Sequence, residues 1–163
     1  MPEARFVIAG REIDASNREL AGWIAESGHA GRFHLLGERT DLDRCLAGLD
    51  IFCLHSLQEG LPNVVAEAMA VGIPCVVTDV GDAALLVGGT GTVVPSADTD
   101  ALAAALLAML RKSGDERRAL GAAARARIAE HFSMDAVRAR YERLYEELAG
   151  SGTPGRRSAE AAA

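Results

Sequence analysis

Short apolar runs alternate with amphipathic stretches over the first hundred residues, and then the runs cease. Arg5-Phe6-Val7-Ile8-Ala9-Gly10, Phe33-His34-Leu35-Leu36-Gly37, Ile51-Phe52-Cys53-Leu54, Ile73-Pro74-Cys75-Val76-Val77-Thr78 and Thr92-Val93-Val94-Pro95 each read as a strand. The runs are continuously apolar, as expected of parallel strands covered by helices on both faces. Ser16 is placed to cap a helix over roughly residues 17–27, with Leu20, Trp23 and Ile24 recurring at helical spacing. A second helix opens near Thr40 and Asp41 and carries Leu42, Leu46 and Leu49. A third runs from Asn63 to Val71, and Val80 to Val87 reads as a turn and short helix. From Thr99 the pattern is helical only: Asp100 to Lys112, a charged stretch from Asp115 to His131, and a Ser133-capped helix to about Leu148. Val137, Tyr141, Leu144 and Tyr145 share one face of that last helix.

Strands alternating with helices mean βα units. The expected fold is therefore α/β, with a Rossmann-like parallel sheet of about five strands flanked by helices, followed by an all-helical C-terminal segment. Residues 1–149 form the expected domain. Residues 150–163 mix Gly, Ser, Pro and Ala without a pattern and are expected to be disordered.

Composition narrows the function class. The 163 residues suffice for one domain, and the 4% aromatic content calls for an aliphatic core. A formal charge of −6 argues against nucleic acid or an anionic membrane as main partner, though not against a phosphate held by backbone amides. No apolar run approaches the roughly 20 residues of a membrane span. No cationic segment leads into an apolar one at the start, so a cytoplasmic setting is expected. Cys45, Cys53 and Cys75 are odd in number and lack metal spacing; the last two lie within apolar runs and read as buried thiols. No metal is expected.

The candidate chemistry concentrates between Glu59 and Glu67, two carboxylates eight positions apart across a Gly-Leu-Pro-Asn turn that opens a helix. This turn follows the third strand, at the carboxyl end where open α/β sheets bind ligands. Pro62 suits the first helical turn, and Gly60 permits close approach of a ligand. The amides of Asn63, Val64 and Val65 are unpaired donors at the helix start, suited with the helix dipole to an anionic group. Glu67 lies roughly 6 Å further along the axis, about the span of a diphosphate between two sugars. Two carboxylate oxygens match two vicinal hydroxyls. The spacing is equally that of a solvated loop charge and a surface helix residue. His55 reads either as a sugar or phosphate contact or as a strand-end residue bonded to backbone. Thr78 and Asp79 suit a ligand contact or a turn. Asp82 is placed to cap the next helix. Gly88-Gly89-Thr90-Gly91 suits a phosphate nest or a turn, and the charge run from Arg117 to Arg143 reads as a solvated helix face.

The stretch from Leu57 to Gly81, with its Glu-x7-Glu block and following Gly-Ile-Pro, closely resembles the nucleotide-sugar half of glycosyltransferase family 4, retaining enzymes of the two-Rossmann-domain GT-B type. Phe6-Val7-Ile8-Ala9-Gly10, His34-Leu35-Leu36-Gly37, Gly88 to Pro95 and His131-Phe132-Ser133 extend the resemblance over roughly Phe6 to Leu148. It implies transfer of a hexose from a UDP- or GDP-sugar to an acceptor hydroxyl, with retained configuration and commonly without metal. Glu67 would bind the ribose hydroxyls. Glu59 would lie near the donor sugar as the catalytic candidate, with no nucleophile assigned. The backbone of Gly60, Leu61 and Asn63 would contact sugar and phosphate, alongside Val64 and His55. Gly37, Glu38 and Arg39 would lie beside the nucleobase.

The chain departs from the family pattern at its start. The strand ending in Gly-Arg, and the Lys-Gly after it, are absent, as is the acceptor domain that normally precedes them. A fragment is therefore expected, weak or inactive alone, with a gap between the Phe6 strand and the Ile51 strand. Its expected partners are a nucleotide sugar and the missing N-terminal domain, with membrane contact only through that missing half. Arg11 reads either as a stand-in for the absent phosphate clamp or as an ordinary solvated loop arginine. A nucleotide-sugar epimerase of the same architecture and a non-catalytic binding module remain the alternative readings.

Overall fold

The computed structural model describes residues 4–150. From residue 151 onward, the tail expected to be disordered lies outside the described residues. The backbone divides into two compact units, Met1–Cys45 and Leu46–Ala163.

The first unit holds β1 (Phe6–Ile8), α1 (Arg18–Glu26), a 3-10 turn (Ala30–Arg32) and β2 (Phe33–Leu35). The two strands run parallel with Phe6 opposite Phe33. Their rings stack with centroids 4.7 Å apart, a pairing that adds to apolar burial. The cap of α1 is Asn17, whose side chain accepts the Leu20 N–H at 3.0 Å. Ser16, the residue expected there, instead gives its hydroxyl to Asp14 at 2.5 Å. Asp14 thus holds Ser16 in the preceding turn, and the helix starts one residue later.

α2 (Leu42–Ala47) leads into the second unit. There follow β3 (Phe52–Leu54), α3 (Asn63–Val71), β4 (Cys75–Thr78), α4 (Ala83–Val87), a 3-10 turn (Gly88–Thr90) and β5 (Thr92–Val94). Then come α5 (Thr99–Arg111), α6 (Gly114–His131) and α7 (Met134–Gly150). The sheet order is β3-β4-β5, all parallel. β4 is buried at all four positions, which is why its sequence shows no polar alternation. The core around it is aliphatic: Val65 and Met69 from α3, Val76 and Val77 from β4, and Leu86 and Val87 from α4. Full burial of each such side chain contributes about 1.5–3 kcal/mol.

The expectation of one sheet of about five strands needs correction. Among the described residues five parallel strands are present, but as a two-stranded and a three-stranded sheet.

α3 is punctuated at both ends. Pro62 is its N-cap residue, one position before the first turn where sequence placed it. Gly72 closes it in the left-handed region at φ 90°, with its N–H on Met69 O and the Ile73 N–H on Ala68 O. α6 begins with Ser113 and Glu116 capping each other reciprocally, and α5 with Asp98 accepting the Ala101 N–H at 2.8 Å. The charge run of α6 is not wholly solvated, contrary to the sequence reading. Arg117 donates to Lys112 O at 2.6 Å and its guanidinium lies 3.7 Å from Asp50. Arg127 donates from Nε to Leu86 O at 2.8 Å and from Nη2 to Leu85 O at 2.7 Å, closing the end of α4. Its guanidinium also stands 5.8 Å from the Phe132 ring centroid.

Candidate functional site

The site is built on the strand-to-helix passage from β3 to α3. β3 ends at Leu54, and residues 55–62 turn into the helix. Two ties fasten this loop to the end of β4 and the turn that follows it. Thr78, the one buried polar residue among the described residues, donates its hydroxyl to the Ser56 carbonyl at 2.8 Å. The Asp82 N–H donates to the Gly60 carbonyl at 2.8 Å. Gly81 lies between these ties at φ 51°, a conformation that favours glycine. A Cβ there would stand 2.5 Å from the Glu59 carbonyl oxygen and closer still to that of Gly60.

Between its fixed ends the loop presents Glu59, half-buried, whose Oε1 accepts the Ser56 hydroxyl at 2.7 Å. A Cβ on Gly60 would meet no atom within 4 Å, so open space lies over this position. Leu61 is 53% exposed, a large apolar side chain left facing solvent beside the helix start.

α3 divides into two faces. Val65, Ala68 and Met69 are fully buried, while Asn63, Glu67 and Ala70 recur at four and three on the exposed side. Among the described residues the Glu67 carboxylate has no hydrogen-bond or ion-pair partner, and neither has the side chain of His55, which is also exposed. At the helix tip the Val65 N–H turns back to Pro62 O at 3.0 Å, so of the three amides expected to be open it is already used. Those of Asn63 and Val64 have no protein acceptor among the described residues. The tip therefore offers two amides and the positive end of a nine-residue helix.

The first unit holds the other predicted site residues. Gly37, at φ 66°, donates to Ile13 O at 2.8 Å and accepts the Gly10 N–H at 2.9 Å. Glu38 is exposed. Arg39 grips Asp41 bidentately, at 2.8 and 2.7 Å. Those bonds hold the Asp41 carboxyl below and the Arg39 guanidinium above their ordinary pKa values.

Several sequence readings resolve toward structure. Asp82 makes no side-chain cap on α4; its backbone serves the Gly60 tie instead. Thr78 holds the loop. Gly88 packs against Arg127, and a Cβ on Gly91 would stand 2.5 Å from Cys75 O, so these glycines meet close-packing demands. Burial raises the Cys53 thiol pKa, and raises that of Cys75 to about 12, with Cys53 beside it adding to the shift. Neither thiol is poised as a nucleophile. Ser56 and Gly81 are the site residues that sequence reasoning missed. Their roles rest on contacts with partners up to 22 residues away, which no local pattern encodes. Among the described residues no group of three His, Cys, Asp or Glu is placed to hold a metal ion, and no helix is long and apolar enough to cross a membrane.

A family profile described as "Glycosyl transferases group 1" matches residues 1–112. Among curated proteins, the chain is 32% identical to the lipopolysaccharide core biosynthesis mannosyltransferase LpsB of Rhizobium meliloti, over 90% of this chain and 44% of that protein. It is 34% identical to the phosphatidyl-myo-inositol mannosyltransferase of Mycolicibacterium smegmatis, over 93% of this chain and 39% of that protein. Among solved structures, the sucrose-phosphate synthase of Thermosynechococcus elongatus matches with a TM-score of 0.78 at 26% identity, over 93% of this chain and 40% of that one. The Anabaena HepE protein in complex with UDP and glucose matches with a TM-score of 0.76 at 23% identity, over 92% of this chain and 41% of that one. The chain thus spans less than half the length of these relatives.

Proposed function

The chain belongs to the group 1 glycosyltransferases, and from that premise we propose that its β3–α3 passage binds a nucleoside diphosphate hexose for transfer to an acceptor hydroxyl. In that reaction the bond from sugar C1 to the diphosphate oxygen breaks and a bond from C1 to the acceptor oxygen forms. The diphosphate leaves with the bonding electrons and takes up, directly or through solvent, the proton that the acceptor hydroxyl gives up. The part played by this chain is electrostatic. The Asn63 and Val64 amides at the tip of α3 face the charge that develops on the leaving group, and they are oriented before the reaction begins.

Glu67, one turn further along the same exposed face, is free to accept both hydroxyls of the ribose. Glu59 stands at the tip, beside the hexose, and open Gly60 leaves room for the sugar to approach. The observation that carries this reading is the exposed Glu67 carboxylate, without a partner among the described residues, on a helix whose opposite face is fully buried. The HepE protein was captured with UDP and with UDP-glucose, which favours a uridine donor, with guanosine as the alternative. The acceptor side is proposed to come from a domain outside this chain, consistent with the length of the relatives that the chain leaves unmatched.

Calorimetric titration of the full-length protein with UDP and with GDP tests the reading. One nucleotide binds, and Glu67→Ala weakens it by about 10–100-fold, the loss of charge-assisted hydrogen bonds. Absence of binding by either nucleotide, or unchanged affinity in the variant, overturns it. Retention is checked from the anomeric proton of the transfer product.

A further inference from the structure

We propose that Ser56 is a positioning residue for Glu59, and that Thr78 holds Ser56 in place; the proposal rests on the reading of Glu59 above. Three observations converge on this short loop. The Ser56 hydroxyl donates to Glu59 Oε1 at 2.7 Å, and this is the carboxylate's one hydrogen bond to protein among the described residues. The Ser56 carbonyl accepts the Thr78 hydroxyl at 2.8 Å, from a residue only 3% exposed at the end of the fully buried β4. Gly81, at φ 51°, lies against the carbonyls of Glu59 and Gly60, and the Asp82 N–H fixes the latter at 2.8 Å.

These contacts form a chain from the sheet to the carboxylate. A glutamate side chain has several rotatable bonds, and ordering it without a partner costs conformational entropy. Here the ordering is achieved in advance by a hydroxyl three residues earlier in the chain, with its own backbone anchored by a buried hydroxyl 22 residues away. Thr78 spends its hydroxyl on a backbone carbonyl and not on ligand, so its contribution to turnover is transmitted through Ser56. Displacements near 1 Å in a reacting group can change rates by about 100-fold, so this order bears on turnover more than on affinity.

The test is a double-mutant cycle in the full-length enzyme, with kcat and donor KM measured separately. Ser56→Ala lowers kcat by about 10–100-fold and changes donor KM by less than about threefold, while Ser56→Thr, which keeps the hydroxyl, recovers most of the rate. In the Glu59→Ala background, Ser56→Ala has little further effect on kcat, because the group it positions is gone. Thr78→Val lowers kcat in the same way and Thr78→Ser does not. This second pair of variants decides the matter if Ser56→Ala fails to fold. Wild-type kcat in Ser56→Ala, or an equal loss with and without Glu59, overturns the positioning role while leaving the site reading intact. Wild-type kcat in Glu59→Ala overturns both.

Discussion

Gly121 of α6 lies directly against the carbonyl oxygen of Gly72, the left-handed residue that ends α3. The contact is so close that any side chain at position 121 would overlap that backbone. It lets α6 cover the end of the helix that carries Glu67. Gly121→Ala is expected to destabilise the fold by about 1–3 kcal/mol through overpacking against backbone that cannot yield easily. The measurement is the midpoint of urea unfolding.

Glu67→Gln separates charge from shape. The side chain is exposed and has no hydrogen-bond or ion-pair partner among the described residues, so the melting temperature without nucleotide stays at the wild-type value. Nucleotide affinity falls by about tenfold, since the amide offers one acceptor oxygen where the carboxylate offers two. A melting curve with and without nucleotide checks both halves of this expectation.

What was legible in the sequence, and what was not, follows from the range of the interactions. β4 stood out because every position from Cys75 to Thr78 is buried, and α3 because Pro62 and Gly72 punctuate it. The Glu59–Glu67 block was visible as text. Ser56 and Gly81 were not, because each acquires meaning only when the turn after β4 folds onto the loop after β3. The cap of α1 moved from Ser16 to Asn17 because Asp14 competes for the Ser16 hydroxyl, a choice that propensity alone does not settle. Five strands were foreseen, but their division into two sheets depends on hydrogen bonding along strand edges.

Arg127 was hidden in a run of charge because its acceptors lie 41 and 42 residues away. Arg127→Ala leaves the Leu85 and Leu86 carbonyls without these donors and is expected to cost about 1–3 kcal/mol in thermal unfolding. Arg127→Lys is expected to recover only part of this, because an ammonium cannot reproduce the two-pronged geometry.

Cys75 gives a pH dependence of definite sign. Its thiol pKa is raised from 9.0 in the unfolded reference to about 12 in the fold, first by burial and then by Cys53. Its contribution to stability is therefore intact below pH 9.0 and is lost as pH climbs toward 12. In the native protein at neutral pH, Cys75 is expected to resist iodoacetamide while the half-exposed Cys45 is modified. Peptide mass analysis after a brief pulse distinguishes the two, and labelling of Cys75 at the rate of Cys45 would contradict its placement.

The tie from Thr78 to Ser56 changes where the candidate site draws its rigidity. In sequence, the Glu59 loop grows out of β3, an outer strand of its three-stranded sheet. Outer strands fray first, and a loop hung on one would be expected to loosen with it. A hydroxyl tie fastens it instead to the end of β4, the middle strand, and an amide tie to the turn after it. Amide exchange around Ser56 should accordingly follow the slow tempo of the sheet's interior, and substitutions that soften the rim should reach the carboxylate late, if at all.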